Sequence, residues 1–416
     1  MTVLEMIHAK GFYTYLHGFG AIDSWLYGTA KTASNSIHIL TNADTTDLAK
    51  LFENLRYPGV DLADTAITDE NETTYFFKCG QTTFLNSINK NKSSFTLLNF
   101  YYDYKTNIFY DPHGIYPILK EIRNNLINQK TDDNFFQILK EEMNLNIDPY
   151  RLLIDTALFI SKYFNNDYQT DKSIQKITNL FYLHDGYPPS QEEQRLFLIE
   201  LISSANPGLG LELLRSSGFI NNLWHELAIL EEADQSKDFH PEGNAWEHTL
   251  ETFRHRKTGS NKNRPFQKQR SLIGNSFDLR LSLGLLLHDS GKPIASSTGN
   301  HRYDGHAQLG EIQARRFLES LGFDPSLIHD ICFLVLNHML PAALPRLPLY
   351  RTEQIMSSPL FPLLLELYRC DESSSFKGLD GYYESSAAYQ QFLRNRRNPY
   401  RSSDGRKLSK KRRLKY

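Results

Sequence analysis

The sequence predicts an α+β protein whose larger, C-terminal part is helical. Two observations carry the helical part. Leu279, Leu281, Leu283, Leu285, Leu286 and Leu287 make one stretch apolar nearly all round, the pattern of a buried helix. Further on, Leu309, Ile312, Phe317, Leu318 and Leu321, then Ile331, Leu334 and Val335, recur at intervals of three and four, the period of amphipathic helices. The β component is expected within residues 1–130, where it follows from resemblance rather than from periodicity.

An ordered series of imidazoles and carboxylates lies on these helices: His248, the doublet His288–Asp289, His306, His338 and Asp371. Such a set can hold one or two divalent metals on a helical scaffold and hydrolyse a phosphate ester with bound water. Consecutive His288 and Asp289 can converge on one metal only where a helix ends and the chain turns, and Gly291 and Pro293 supply that ending. His306 opens the next helix, and His338 continues the inward stripe of Ile331, Leu334 and Val335. Lys292, directly behind the doublet, is either a cation at a helix C-terminus or a holder of substrate phosphate. His338 taken alone reads equally as a hydrogen-bonded core histidine. A buried carboxylate such as Asp289 is costly unless something compensates it, and a metal does so directly. Asp289 and Lys292 are therefore the candidate catalytic pair. His240, His255, His301 and His329 fit no ligand position and read as ordinary surface or loop residues.

The successive segments HPEGNAWEHTLE, LLLHDSGKP, GHAQLGEIQARRFLESLGF, LVLNHM and RCDE resemble the motifs of an HD-domain phosphohydrolase. Their form is similar to the HD domain of bacterial tRNA nucleotidyltransferases of the CCA-adding and poly(A) polymerase family. The resemblance implies His248, His288, Asp289 and Asp371 as a principal metal site, with His306 and His338 at a second. Upstream, EEQRLFLIELISSANPGLGLELLRSSGFINNLWHELAILEEADQ resembles the helical segment before that domain. FYTYLHGFGAIDSWLYG, SNSIHILTNADTTDLAKLF, SSFTLLNFYYD and FYDPHGIYPILKEI follow the order of the family's head. The implied organisation is a small mixed-sheet, nucleotidyltransferase-like head over 1–130, an all-helical neck and body over 131–235, a helical HD domain over 236–393, and a basic, disordered tail over 394–416.

The head departs from the family where its chemistry belongs. Two carboxylates one residue apart on a strand should hold two magnesium ions, yet SIHILT places Ser36 and His38 there. A hydroxyl and an imidazole do not replace two anionic oxygens for hard Mg²⁺. Phe19 stands at the second glycine of the phosphate loop and Ile22 at its arginine, with one extra residue between Asp23 and Gly28; Ser93–Ser94 replace an Arg-Asp pair. Asp148 and Arg151 match residues that hydrogen-bond the incoming base, and Asp148–Pro149 is equally a good helix start.

The expectation is thus a metal-dependent phosphohydrolase acting on a phosphodiester or phosphomonoester of a nucleotide or RNA end, with nucleotidyl transfer lost. Two alternatives stay open: an RNA-processing tRNA nucleotidyltransferase or poly(A) polymerase-type enzyme with an atypical active site, and a nucleotide- or RNA-binding adaptor. Mixed His and Asp ligation suits one or two ions of Mn, Fe, Co, Ni or Zn better than Ca, and Mg also fits. The substrate expected as partner is a nucleotide or an RNA 3′ end.

Composition agrees with a cytoplasmic protein: 416 residues, 40% hydrophobic and 23% charged, with no apolar run long enough for membrane insertion and no export signal. Cys79, Cys332 and Cys370 read as reduced thiols. Residues 394–416 carry eleven Lys or Arg against Asp404 alone, leaving 35 Lys and Arg against 47 Asp and Glu elsewhere, a formal charge of −12. An acidic body throws RNA contact onto local grooves or the tail. Arg264, Lys268 and Arg270, between His248 and His288, form a basic loop able to meet an anionic substrate.

Overall fold

The structure, a computed structural model, describes residues 2–28, 36–57, 66–70, 73–79, 96–124, 135, 137–141, 148–164, 178–179, 181, 183, 186–233, 243–256, 279–296, 303–375, 378–398, 400, 402 and 406–407. The chain divides into two compact units, Met1–Asn222 and Leu223–Tyr416. The architecture is α+β.

The first unit holds a mixed sheet of β1 (Thr14–His17), β2 (Ser36–Thr41), β3 (Ala66–Glu70), β4 (Thr73–Lys78), β5 (Tyr101–Asp103) and β6 (Ile108–Tyr110) in the order β3-β4-β2-β1-β5-β6. Among the described strands β2 and β4 pair in parallel and the other neighbours are antiparallel. Alternation sets the two faces. Leu16, Ile37, Ile39 and Phe77 are buried on the face that receives α2 (Phe19–Tyr27), where Gly20 rests on Ile37 and Leu16. Gly18 turns the chain from β1 into α2 at φ +59, a conformation that favours glycine, and its N–H donates to the Phe100 carbonyl at 3.0 Å.

The other face carries a row of rings. His17 pairs across β1 and β5 with Tyr101, and His38 pairs across β2 and β4 with Phe76. The His38 ring stacks on Phe76 with centroids 4.7 Å apart and meets His17 at 5.5 Å. Burial, foremost, pushes the His38 imidazole down to about 4 and His17 well below its ordinary value.

Helices complete this unit: α1 (Val3–Ala9), α3 (Thr45–Ala49), α4 (Tyr116–Arg123), α5 (Pro149–Tyr163), α6 (Gln191–Ser203), α7 (Pro207–Ser216) and α8 (Phe219–Leu223), whose last residue crosses the division. α6 starts in a reciprocal capping box of Ser190 and Glu193. Tyr163 ties α5 to α2 by donating its hydroxyl to the buried Asp23 carboxylate at 2.8 Å.

The second unit, among the described residues, is helical: α9 (His225–Ala228), α10 (Ala245–Arg254), α11 (Leu279–Leu287), α12 (Lys292–Ser296), α13 (His306–Ser320), α14 (Pro325–Asn337), α15 (Leu340–Ala343), α16 (Leu349–Met356), α17 (Phe361–Ser373) and α18 (Asp380–Arg397). α11 lies at the centre, since a Cβ on Gly284 would touch Leu367 of α17 and Leu334 of α14 at 3.0 and 3.3 Å. Buried Leu283, Leu285, Leu286 and Leu287 fill the space around it.

Four expectations are corrected here. Ile312 is 51% exposed, because α13 turns His306, Gly310, Ala314 and Phe317 inward and 312 falls on the far side of that stripe. Pro293 does not end α11; it is the second residue of α12, where a missing N–H leaves no bond unmade. The basic tail does not begin as disorder at 394: α18 runs through Arg397, held by buried Tyr389, Phe392 and Asn395, with Arg394, Arg396 and Arg397 favourably placed in its last turn. Finally, Pro325–Arg346 is long and apolar enough by length and composition to cross a membrane, with mean hydropathy 1.6. That stretch breaks at His338, and Ile331, Leu334 and Val335 are packed in the unit's core.

Candidate metal centre

His248 lies in α10, whose start is fixed by a capping box of Asn244 and Glu247. His288 and Asp289 form the turn after α11, Lys292 begins α12, His306 begins α13, His338 caps the C-terminus of α14, and Asp371 lies in α17. The structure brings all of them together. The side chain of Asp371 is 22% exposed, whereas His248, His288, Asp289 and His338 are buried.

Asp289 is the hub. Its Oδ2 lies 3.3 Å from His288 Nε2 and 3.7 Å from His248 Nε2, and Asp371 Oδ1 stands 2.9 and 4.0 Å from the same His248 and His288 nitrogens. Its Oδ1 lies 3.7 Å from His306 Nε2 and 3.8 Å from His338 Nε2. Ligands bound at about 2.0–2.2 Å stand roughly 2.9 Å apart when adjacent in an octahedron and about 4.2 Å when opposite. Both groups fall within that span, so the carboxylate can serve two cations, one per oxygen.

The histidine hydrogen bonds bear on whether the group could hold a cation. Nδ1 of His306 lies 2.8 Å from the Tyr303 carbonyl and Nδ1 of His338 lies 2.7 Å from the Val335 carbonyl. A carbonyl only accepts, so both rings carry their proton on Nδ1 and are bare on Nε2. Those two bare nitrogens face each other at 3.0 Å. Burial lowers both imidazoles, His338 to about 4, so a shared proton is not the answer near neutral pH. A divalent cation is a group that both lone pairs could bind together. His288 repeats the device, with Nδ1 2.9 Å from the Leu285 carbonyl and Nε2 buried with no hydrogen-bond partner. Tyr303 itself has φ +50, outside the usual range for a tyrosine, in the turn that sets this acceptor.

Electrostatics keep the carboxylates anionic. Burial works to raise Asp289, but His288, Lys292 and His248 outweigh it and hold the carboxyl well below its usual range. Asp371 is lowered too, burial being outweighed chiefly by its hydrogen bond and proximity to His248. Lys292 Nζ sits 2.6 Å from Asp289 Oδ2 and 5.9 Å from the centroid of the Tyr303 ring.

Gly291 has a spatial role. A Cβ there would lie well inside 3.0 Å of the His306 carbonyl oxygen and the Gly310 nitrogen, so only glycine lets α13 pack over the turn. Its φ is not among the positive ones, so the helix ends before it without a left-handed glycine.

Asp148 uses both carboxylate oxygens on backbone donors, Arg151 N at 3.1 Å and Tyr187 N at 2.7 Å, and Arg151 pairs with Asp155 at 3.4 Å. His329 is exposed, and His255 caps α10 beside Glu251. His240, His301, Ser93, Ser94, Arg264, Lys268 and Arg270 lie outside the described residues. One contributor was missed in the sequence: Ser374, whose hydroxyl lies 3.2 Å from His248 Nδ1. Its position three residues after Asp371, on the same helical turn, was the available signal.

A CC-adding tRNA nucleotidyltransferase of Thermus thermophilus is 25% identical over 230 residues, 54% of this chain and 47% of that protein. A multifunctional CCA protein of Halorhodospira halophila is 30% identical over 125 residues, 30% of this chain and 26% of that protein. Over these stretches the chain is similar in sequence to tRNA nucleotidyltransferases of the CCA-adding kind. It spans about half the length of the first of these relatives and about a quarter of the second. No family model matches the chain. Among solved structures, a CCA-adding enzyme in complex with ATP aligns at 13% identity and a TM-score of 0.43, covering 98% of this chain and 86% of that one. A Thermotoga maritima CCA-adding enzyme complexed with tRNA aligns at 13% identity and a TM-score of 0.40, covering 96% and 82%. Alignments that slight carry no inference.

The relationship corrects the expectation of a phosphohydrolase in which transfer is lost. That expectation rested on the ligand set and on Ser36 and His38, whereas the sequence relatives are nucleotidyltransferases.

Proposed function

We propose that this chain is an RNA-processing enzyme of the tRNA nucleotidyltransferase type with an atypical active site, which uses a nucleotide and an RNA 3′ end as substrates and holds divalent metal in its second unit. Kinship with a CC-adding and a multifunctional CCA protein supports the transferase reading. The observation that carries the metal is Asp289, whose two oxygens each lie beside a separate pair of histidine nitrogens.

His248, His288, Asp289 and Asp371 would hold one cation, and Asp289, His306 and His338 a second. A divalent ion held there would supply Lewis acidity toward a phosphate oxygen. Asp371, the most exposed carboxylate of the set, marks the side open to a ligand. The Lys292 ammonium, 2.6 Å from Asp289, would meet a phosphate that approaches the same oxygen. What makes the head atypical is the ring row of Phe76, His38 and His17 on the sheet face where the family's paired carboxylates are expected.

The test uses the full chain, its metal content, and a tRNA lacking its terminal nucleotides with labelled CTP or ATP. Metal-dependent extension of the RNA is expected, abolished by chelation and raised by the double substitution Ser36→Asp with His38→Asp. Bound metal with no incorporation of either nucleotide, in the native chain and in the double variant, refutes the transferase reading. Absence of bound metal refutes the centre.

A further inference from the structure

We propose that Ser374 is a positioning residue of this centre: its hydroxyl holds the His248 proton on Nδ1 and so presents the Nε2 lone pair to a divalent cation. The inference rests on the metal reading above. Three of the four imidazoles are oriented by a backbone carbonyl three residues earlier, Leu285 for His288, Tyr303 for His306 and Val335 for His338. His248 is oriented differently. The carbonyl three residues before it, on Ala245, accepts the Thr249 hydroxyl at 2.8 Å, and the His248 Nδ1 faces Ser374 Oγ at 3.2 Å instead.

A hydroxyl can donate or accept, so contact alone would not choose the tautomer. The choice comes from the other bond of Ser374. Its Oγ donates to the Asp371 carbonyl at 2.6 Å, the shorter of its two contacts, which commits the single hydroxyl proton and leaves a lone pair for the His248 N–H. Ser374 closes the C-terminus of α17, so one turn of that helix grips the ring from both sides. Without a cation, Asp371 Oδ1 accepts from Nε2 at 2.9 Å; a bound cation would take the place of that proton, while Ser374 Oγ, 3.2 Å from Nδ1, keeps the other where it is. The bond fixes ring rotation as well as the proton, and partners of this kind govern how well a ligand is poised.

Ser374→Ala and Ser374→Thr in the full chain separate this role from packing. Zinc affinity is read by chelator competition, and the His248 Nδ1–H by nitrogen-15 NMR of the zinc-loaded chain. Ser374→Ala is expected to weaken zinc binding by about 10- to 100-fold and to lose the slowly exchanging Nδ1–H signal, with the thermal transition of the metal-free chain little changed. Ser374→Thr, which keeps a hydroxyl, should restore both. Zinc binding by Ser374→Ala within about twofold of the native chain, with the signal intact, would overturn the proposal and leave the metal centre standing. A Thr variant as weak as Ala would assign the effect to packing and overturn it equally. A native chain that takes up no zinc overturns the metal reading and this inference with it.

Discussion

Gly291→Ala is the sharpest single perturbation of the centre, because the atoms that oppose it are all backbone. The added Cβ would lie well inside 3.0 Å of the His306 carbonyl oxygen and the Gly310 nitrogen and 3.0 Å from Gly310 Cα, whereas ordinary contact begins near 3.4 Å. No side chain can rotate out of the way, so the turn after α11 must part from α13 by on the order of 1 Å. Overpacking of this kind costs about 1–3 kcal/mol, occasionally more, and the rigid partners place this site at the upper end. The same displacement carries His306 away from Asp289 Oδ1, now 3.7 Å distant, while His248 and Asp371 keep their 2.9 Å contact on other helices. Calorimetry should show a destabilisation of about 3 kcal/mol. A zinc titration should show the weaker equivalent lost before the stronger. If Gly291→Ala melts with the native chain and binds both equivalents unchanged, the close approach is not a constraint and the two-oxygen account of Asp289 fails.

Asp289→Asn removes the hub of both groups and leaves the buried Lys292 ammonium without its 2.6 Å partner. Metal content by mass spectrometry should fall at least about tenfold, and the metal-free chain should lose about 3 kcal/mol, as breaking a buried pair usually does. The pH dependence of the first unit follows from His38, which is lowered to about 4 when folded from an ordinary value of 6.5. The unfolded chain therefore binds the proton first as pH falls. The stability present above pH 6.5 declines toward pH 4 by up to about 3 kcal/mol, with His17 acting in the same direction. His38→Phe should flatten urea midpoints measured between those pH values, and an unchanged slope would assign the loss elsewhere. Gly210→Ala drives a Cβ onto Ser161 Oγ, to 2.6 Å from Leu201 Cδ1 and to 2.7 Å from the Ala157 carbonyl, so α7 must lift from α5. A loss of about 2 kcal/mol or more is expected in thermal unfolding, with zinc affinity unaltered.

Local chemistry was legible in the sequence. The apolar run of α11, the His-Asp doublet at its end and the helical spacing that leads to His338 each depend on residues within a few positions of one another, and each stands where that spacing put it. Helix starts were equally local, as Asp148 with Pro149 shows. Where periodicity was followed without knowledge of the neighbours it misled, since Ile312 fits the apolar rhythm of α13 yet faces solvent. Gly291 was read as a helix terminator and proved to be a gap through which another helix passes.

What the sequence by itself determined is the supply of imidazoles and carboxylates and the helices that carry them, because helix period, capping and burial act over three or four residues. Tertiary structure alone decided that Asp289 divides its oxygens between two histidine groups, that Ser374 reaches His248 from 126 positions away, and that the α18 arginines extend a packed helix. Those outcomes depend on how α10, α11, α13, α14 and α17 close on one another, and a distance between side chains on different helices is set by the packing of everything between them.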